Sequence, residues 1–205
     1  MTIDALIFDY GGVIWDMAFP RTHELEQQHG LEPRSIARTL YASETWRNLE
    51  VGIGDRETWL AEAHETLSRE AGKPVPPVHQ HWRDSQQLIT PNIELIERLR
   101  TRYKTAILSN ADSTLLDTIK HRHRIDHLFD DIVCSADVGM AKPDLRIYEM
   151  AARRLDVSPE SCVFIDDLPA NVEAARAIGM LGVHFLIDEG HDLAAQLAEL
   201  GVDTA

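Results

Sequence analysis

Five short runs of consecutive apolar residues, each running into polar residues and all but one followed by an amphipathic helical pattern, constrain this chain most. They are "DALIFD", "YKTAILSN", "DDIVCS", "SCVFIDD" and "LGVHFLI". A run that is apolar at every position, rather than at every second one, suits a strand covered on both faces. The helical patterns "STLLDTIKHRH", "LRIYEMAARRL" and "ANVEAARAIG" fall between the later runs, and "HDLAAQLAEL" closes the series. This alternation implies an α/β fold, a Rossmann-like parallel sheet with helices on both faces.

The alternation is interrupted once. From residue 16 to residue 86 the chain reads as amphipathic helices with no strand between them, including "RTHELEQQHG", "PRSIARTLYAS" and "DRETWLAEAHETLSREAG". The expected organisation is therefore an α/β core made from 1–15 and 87–205, with a helical cap, 16–86, inserted after the first strand. Trp46, Trp59 and Trp82 fall in the insert and are expected to form its core, with a place in the wall of a substrate pocket as the alternative.

At 205 residues the chain can bury one core and a small inserted lobe. A formal net charge of -14 excludes nucleic acid as a partner, because phosphate-backbone binding needs clustered Lys and Arg. A small phosphate stays open, since one lysine, helix N-termini and a cation can hold it locally. Cys134 and Cys162 lie beside strand-like runs and read as buried thiols of a reducing compartment. No charged-then-apolar leader and no membrane-length apolar run is present, so a cytoplasmic protein without a membrane partner is expected, as monomer or homodimer.

Open parallel sheets bind ligands outside the carboxyl ends of their strands. Those ends carry Asp9, then Ser109 and Asn110, then Asp166 and Asp167, while Lys142 sits in the connecting loop "VGMAKPD". A carboxylate in a glycine-rich bend, as in "FDYGGV", can attack phosphorus or carbon. Paired carboxylates at a buried strand end are costly without a cation, and hard oxygen ligands suit Mg²⁺. Ser109 and Asn110 can donate to a phosphoryl oxygen, and Lys142 can neutralise charge. Singly, each residue reads as well as a turn, a helix cap or a surface lysine; their joint placement at one edge does not. "IKHRHRIDH", with His121, His123 and His127, lacks zinc-motif spacing and reads as a solvated face.

In order, "FDYGGV", "ILSN", "MAKPD" and "FIDD" resemble the four motifs of the haloacid dehalogenase-like hydrolase superfamily, across nearly the whole chain. The helical insert looks like that superfamily's mobile cap. "LEVGIGDRETW", "GMAKPDLRIY" and "FIDDLPANVEAARAIGM" are similar to a branch holding bacterial sugar-phosphate phosphatases and the phosphatase domain of soluble epoxide hydrolase. The resemblance implies Mg²⁺-dependent hydrolysis of a small phosphate ester, sugar phosphates among the candidates, through an aspartyl-phosphate on Asp9. Ser109 and Lys142 would hold the phosphoryl group, with Asn110 orienting it. Mg²⁺ would be held by Asp9, the backbone carbonyl of Gly11 and Asp167. Asp166 would act behind them or through water, supported by Asn171.

Gly11 departs from the pattern, because the superfamily's phosphatases usually place a general-acid aspartate there. Such acid help is worth about 10²–10⁴-fold. Two other readings therefore stand: a 2-haloacid dehalogenase, with Tyr148 following Lys142 as a tyrosine does in those enzymes, and a non-catalytic binding protein. The pair in "FIDD" weighs against the dehalogenase, which needs no metal. Asp16 is a candidate substitute acid, although a hinge or helix-entry role suits it better. A positive φ at residue 11 would bar any side chain there.

Overall fold

The structure, a computed structural model, describes residues 2–205. Five parallel strands form the main sheet: β1 (Ala5–Phe8), β4 (Lys104–Ser109), β5 (Asp131–Cys134), β6 (Cys162–Asp166) and β7 (Leu181–His184). Their spatial order is β5-β4-β1-β6-β7, which puts the first strand at the centre. The continuous apolar runs have the expected cause. Leu6 and Phe8 enter one fully buried layer with Ile107 and Ile165, while Ala5 and Ile7 enter the other with Ala106 and Phe164. Alternate residues of one strand thus serve two cores.

The helices that follow the ribbon and the later strands cover both faces. They are α6 (Thr90–Leu99), α7 (Leu115–Asp117), α8 (Ser135–Val138), α9 (Leu145–Arg154), α10 (Pro169–Ala177) and α11 (Leu193–Glu199). Leu95, Ile96 and Leu99 of α6 pack with Leu193 and Leu197 of α11 on one face; Ile147, Ala151 and Ala152 of α9 lie on the other. Beyond α7 the chain continues as a π-helical turn, Thr118–His123.

Between the central strand and the rest stand α1 (Phe19–His29), α2 (Ser35–Tyr41), α3 (Glu44–Leu49), α4 (Arg56–Glu70) and α5 (Val78–Arg83). These helices have a hydrophobic cluster of their own, built on Leu25, Ile36, Leu40, Trp46, Trp59, Leu67 and Trp82. Asp55 caps α4 by accepting from the Thr58 N–H at 2.8 Å, which explains why "GDRETW" opens a helix. The buried Glu26 carboxylate accepts the N–H groups of Arg34 and Ile36 at 2.8 and 2.9 Å, supplying the cap that α2 lacks. The two chain crossings pair as a short antiparallel ribbon, β2 (Trp15–Asp16) with β3 (Gln87–Leu88). No run of the sequence suggests this ribbon, because two residues carry no periodicity.

Both cysteines are free and buried. Among the described residues no helix is long and apolar enough to cross a membrane.

Candidate active site

The register of the sheet brings the acidic residues to one level. Phe8 pairs with Ile165, and the Asp9 N–H donates to the Ile165 carbonyl at 2.8 Å, so Asp9 and Asp166 leave adjacent strands side by side. Asp167 follows in the turn before α10. Oxygen atoms of Asp9, Asp166 and Asp167 all lie within 4.8 Å of one another. The buried Lys142 ammonium enters among them, 2.9 Å from Asp9 and 2.6 Å from Asp166.

The carboxylates are not equivalent. Asp166 is fully buried and spends both oxygens on the protein: the Leu168 N–H at 2.8 Å, the Asn171 amide at 3.1 Å and Lys142. It anchors the lysine and the turn. Asp9 retains 8% exposure; its Oδ1 accepts from the Tyr10 N–H at 2.7 Å and pairs with Lys142. Burial pushes the Asp9 carboxyl up to about 6, with Lys142 pulling it down and Asp166 pushing it up. Burial, then Asp9 and Asp166, push Asp167 up to about 7. Burial works against the Lys142 ammonium, but Asp166 and Asp9 outweigh it and raise its pKa. One cation thus serves three acids, and Asp167 has the least compensation. This donor set of hard, under-neutralised oxygens fits a divalent cation such as Mg²⁺.

The glycines of the first bend have different tasks. Gly12 has φ of +77°, and a Cβ there would meet the Asp167 Oδ2 at 2.6 Å. Only glycine fits that close approach. Gly11 is not in the left-handed region, and a Cβ on it would meet only the flexible Met17 side chain at 3.4 Å. The feared steric bar at residue 11 therefore belongs to residue 12.

Asn110 serves the backbone. Its amide donates to the Lys142 carbonyl at 2.9 Å and its oxygen accepts the Lys142 N–H at 2.8 Å. The side chain fastens the lysine loop to the end of β4 and also lines both cavities at this edge.

Two cavities meet at this edge. The larger, about 700 Å³, is lined by Asp9, Lys142, Asp167 and Asn171 on the sheet side. Opposite them stand Phe19, Ala37, Tyr41, Trp46 and Glu50. The smaller, about 210 Å³, is lined by Ser109, Trp15, Arg83 and His123, among others. Gly11, Met17, Tyr41, Trp46 and Asn110 line both. Ser109 thus faces the smaller cavity, next to the one that holds Asp9.

Several sequence readings change. The His123 ring stacks on Trp15 at 4.3 Å between centroids and bonds the Tyr10 hydroxyl at 2.8 Å, so it belongs to the wall of the smaller cavity, not to a solvated face. The Asp16 carboxylate accepts the Ala18 N–H at 2.7 Å and lines neither cavity, which makes it a turn-former at the ribbon. Tyr148 is fully buried against Phe164 and also lines neither. Glu50, which the sequence reading did not single out, also lines the larger cavity; one glutamate in a helical stretch carries no signal of its own.

A family model for haloacid dehalogenase-like hydrolases matches residues 3–179. The chain belongs to that family. It is 29% identical over 187 residues to the sesquiterpene phosphatase astK of Aspergillus oryzae, covering 89% of this chain and 90% of the relative. It is 30% identical over 200 residues to the phosphatase MT3486 of Mycobacterium tuberculosis, covering 92% and 88%. Its fold matches the family enzyme bt-2542 of Bacteroides thetaiotaomicron, solved with magnesium and inorganic phosphate, with a TM-score of 0.71 at 21% identity over 94% of this chain and 98% of that one.

Proposed function

We propose that this family member is a Mg²⁺-dependent phosphomonoesterase that works through an aspartyl-phosphate on Asp9, with helices α1–α5 acting as its cap domain. The observation that carries the reading is the set of three carboxylates within 4.8 Å of one another, two of them paired with a single buried lysine, with Asp9 and Asp167 lining the larger cavity. A dianionic phosphoryl group needs cationic neutralisation, and Lys142 is already shared between two acids. Mg²⁺ bound by Asp9, Asp167 and the Gly11 carbonyl would supply the charge that neutralises both the carboxylates and the phosphoryl oxygens.

The chain's own groups do the rest. Lys142 holds Asp9 ionised and oriented, and Asp166 with Asn171 fixes the ammonium. An Asp9 oxygen attacks phosphorus as the ester oxygen leaves; water then attacks the same phosphorus and frees Asp9. Lys142, with Ser109 reaching across from the adjoining cavity, would hold the transferring oxygens. The relative astK is a sesquiterpene phosphatase, and the wall of Phe19, Ala37, Tyr41, Trp46 and Leu168 here favours a leaving group with apolar surface. Sugar phosphates belong in the same test.

The dehalogenase reading finds less support. Three clustered carboxylates repel a departing halide, and Tyr148 lines neither cavity. The test is phosphate release from alkyl, terpenyl and sugar phosphates, with and without Mg²⁺, beside a 2-haloacid panel. Mg²⁺-dependent phosphate release supports the proposal. Halide release without metal, or turnover of neither class, contradicts it.

A further inference from the structure

The leaving alkoxide of an alkyl phosphate needs a proton, and position 11 has no side chain to give one. Three carboxyl groups line the large cavity: Asp9, Asp167 and Glu50. The proposed chemistry uses the first as nucleophile and the second for the cation. Glu50 is left, and it alone comes from the helical block, on the side where a leaving group would sit.

Its placement is built into the fold. Glu50 closes α3 and is half-buried. Two residues later Gly52, with φ of +81°, brings its backbone so close to the core that a Cβ would lie 2.5 Å from the Ala136 carbonyl oxygen. No other residue type fits there. The Arg56–Asp112 ion pair holds the start of α4 to the core on the other side of this turn. The chain just after Glu50 is therefore docked on the core at two points.

The surroundings suit a proton carrier. Burial raises the Glu50 pKa; Trp46, Asn110, Arg47 and Lys142 oppose the shift without cancelling it. Of the charged groups around it, Arg47 lies on its own helix, Lys142 comes from the core loop, and Arg34, Arg38, Asp9 and Asp167 line the same cavity. No ion pair joins Glu50 to any of them among the described residues, so its carboxyl is free to change charge.

We infer that Glu50 is a catalytic acid and base, filling from the cap the role that Gly11 leaves empty. The inference rests on the phosphatase reading. In the first step the Asp9 oxygen–phosphorus bond forms, the phosphorus–alkoxide bond breaks, and the Glu50 proton goes to the alkoxide oxygen. In the second step water attacks phosphorus, its proton returns to the Glu50 carboxylate, and the Asp9–phosphorus bond breaks to release phosphate. Each turnover restores both carboxyl groups.

The test is Glu50→Gln, isosteric and unable to donate as an acid, with folding checked by circular dichroism. First-turnover rates are measured with an alkyl phosphate and with p-nitrophenyl phosphate, whose leaving group needs no proton. The variant should lose about 10²-fold or more on the alkyl ester and under about tenfold on the aryl ester. Wild type should lose alkyl activity as pH rises and Glu50 ionises, and the variant should lack that limb. With the aryl ester the variant should release a burst of nitrophenol and then slow, because its phospho-enzyme waits for water. Equal losses on both esters, or an alkyl rate near wild type, overturn the role of Glu50 and leave the phosphatase reading intact. A wild type that turns over neither ester with Mg²⁺ overturns both.

Discussion

The edge of the sheet and the helical block face each other across one cavity, yet they are specified in different ways. At the sheet edge, position is dictated by register. Once Phe8 pairs with Ile165, Asp9 and Asp166 must emerge together, and the hydrogen bonds of Asn110 leave the Lys142 loop one place to go. In the helical block, position depends on docking. Its helices bury their own cluster around Trp46, Trp59 and Trp82, and reach the core through a ribbon of two residues per strand, one ion pair and the close approach at Gly52. Chemistry built into the sheet is rigid and general. Chemistry carried by the block depends on its docking, and the proposed role of Glu50 rests on it. The contrast can be broken experimentally from either side.

The largest effect should come from the sheet side. Asp9→Asn should remove turnover by about 10³-fold or more with the fold unchanged, because shape is kept and nucleophilicity is lost. Steady-state assays beside a thermal melt decide it; a variant within tenfold of wild type would take the nucleophile away from Asp9.

Next in size is Lys142→Met. It leaves Asp166 and Asp9 buried without their cation, which should cost about 3–5 kcal/mol at neutral pH. The deficit should shrink as the pH falls and the carboxyls protonate. Urea titrations at pH 5 and pH 7.5 measure this. An equal deficit at both would mean that the lysine acts by packing alone.

A third effect concerns pH and metal. In the metal-free protein Asp9 and Asp167 are raised from 3.8 to about 6 and about 7. A carboxyl with a raised folded pKa holds its proton better folded than unfolded. The stability these two groups contribute is therefore fully present below pH 3.8 and is lost as the pH rises to about 7. Mg²⁺ should reverse the loss, so the rise in Tm on adding it should be larger at pH 8 than at pH 5. The same rise at both pH values would contradict a metal held by these carboxylates.

Smaller effects should come from the block. Gly52→Ala should push the 49–53 turn off the Ala136 carbonyl and lower alkyl-ester turnover more than aryl-ester turnover, by roughly tenfold. Leu168→Ser, at the cavity mouth, removes apolar surface and should raise KM for an apolar ester by about fivefold, about 1 kcal/mol, with kcat unchanged. Equal changes for apolar and sugar esters would remove the apolar wall from specificity.

What the sequence disclosed follows the same division. The five strands were legible because full burial on two faces leaves a continuous apolar run, and the strand ends named Asp9, Ser109, Asp166 and Asp167 directly. The insert was legible as helical but not in its docking. Glu50 looks like any solvated helix-end carboxylate until Gly52 is seen against Ala136. His123 looked solvated because the π-helical turn that rolls it onto Trp15 breaks the helical period. The tie from Asn110 to the Lys142 backbone was not legible, because its partner lies 32 residues away.

The central claim is a covalent phosphoryl group on Asp9. It is tested most directly by acid-quenching the Glu50→Gln variant within one turnover of p-nitrophenyl phosphate and Mg²⁺, then mapping the chain by mass spectrometry. The account predicts the mass of one phosphoryl group on the peptide containing Asp9, absent when Asp9→Asn is added. Nitrophenol release at the same rate with an unmodified Asp9 peptide, or with the phosphoryl group on another residue, would contradict it.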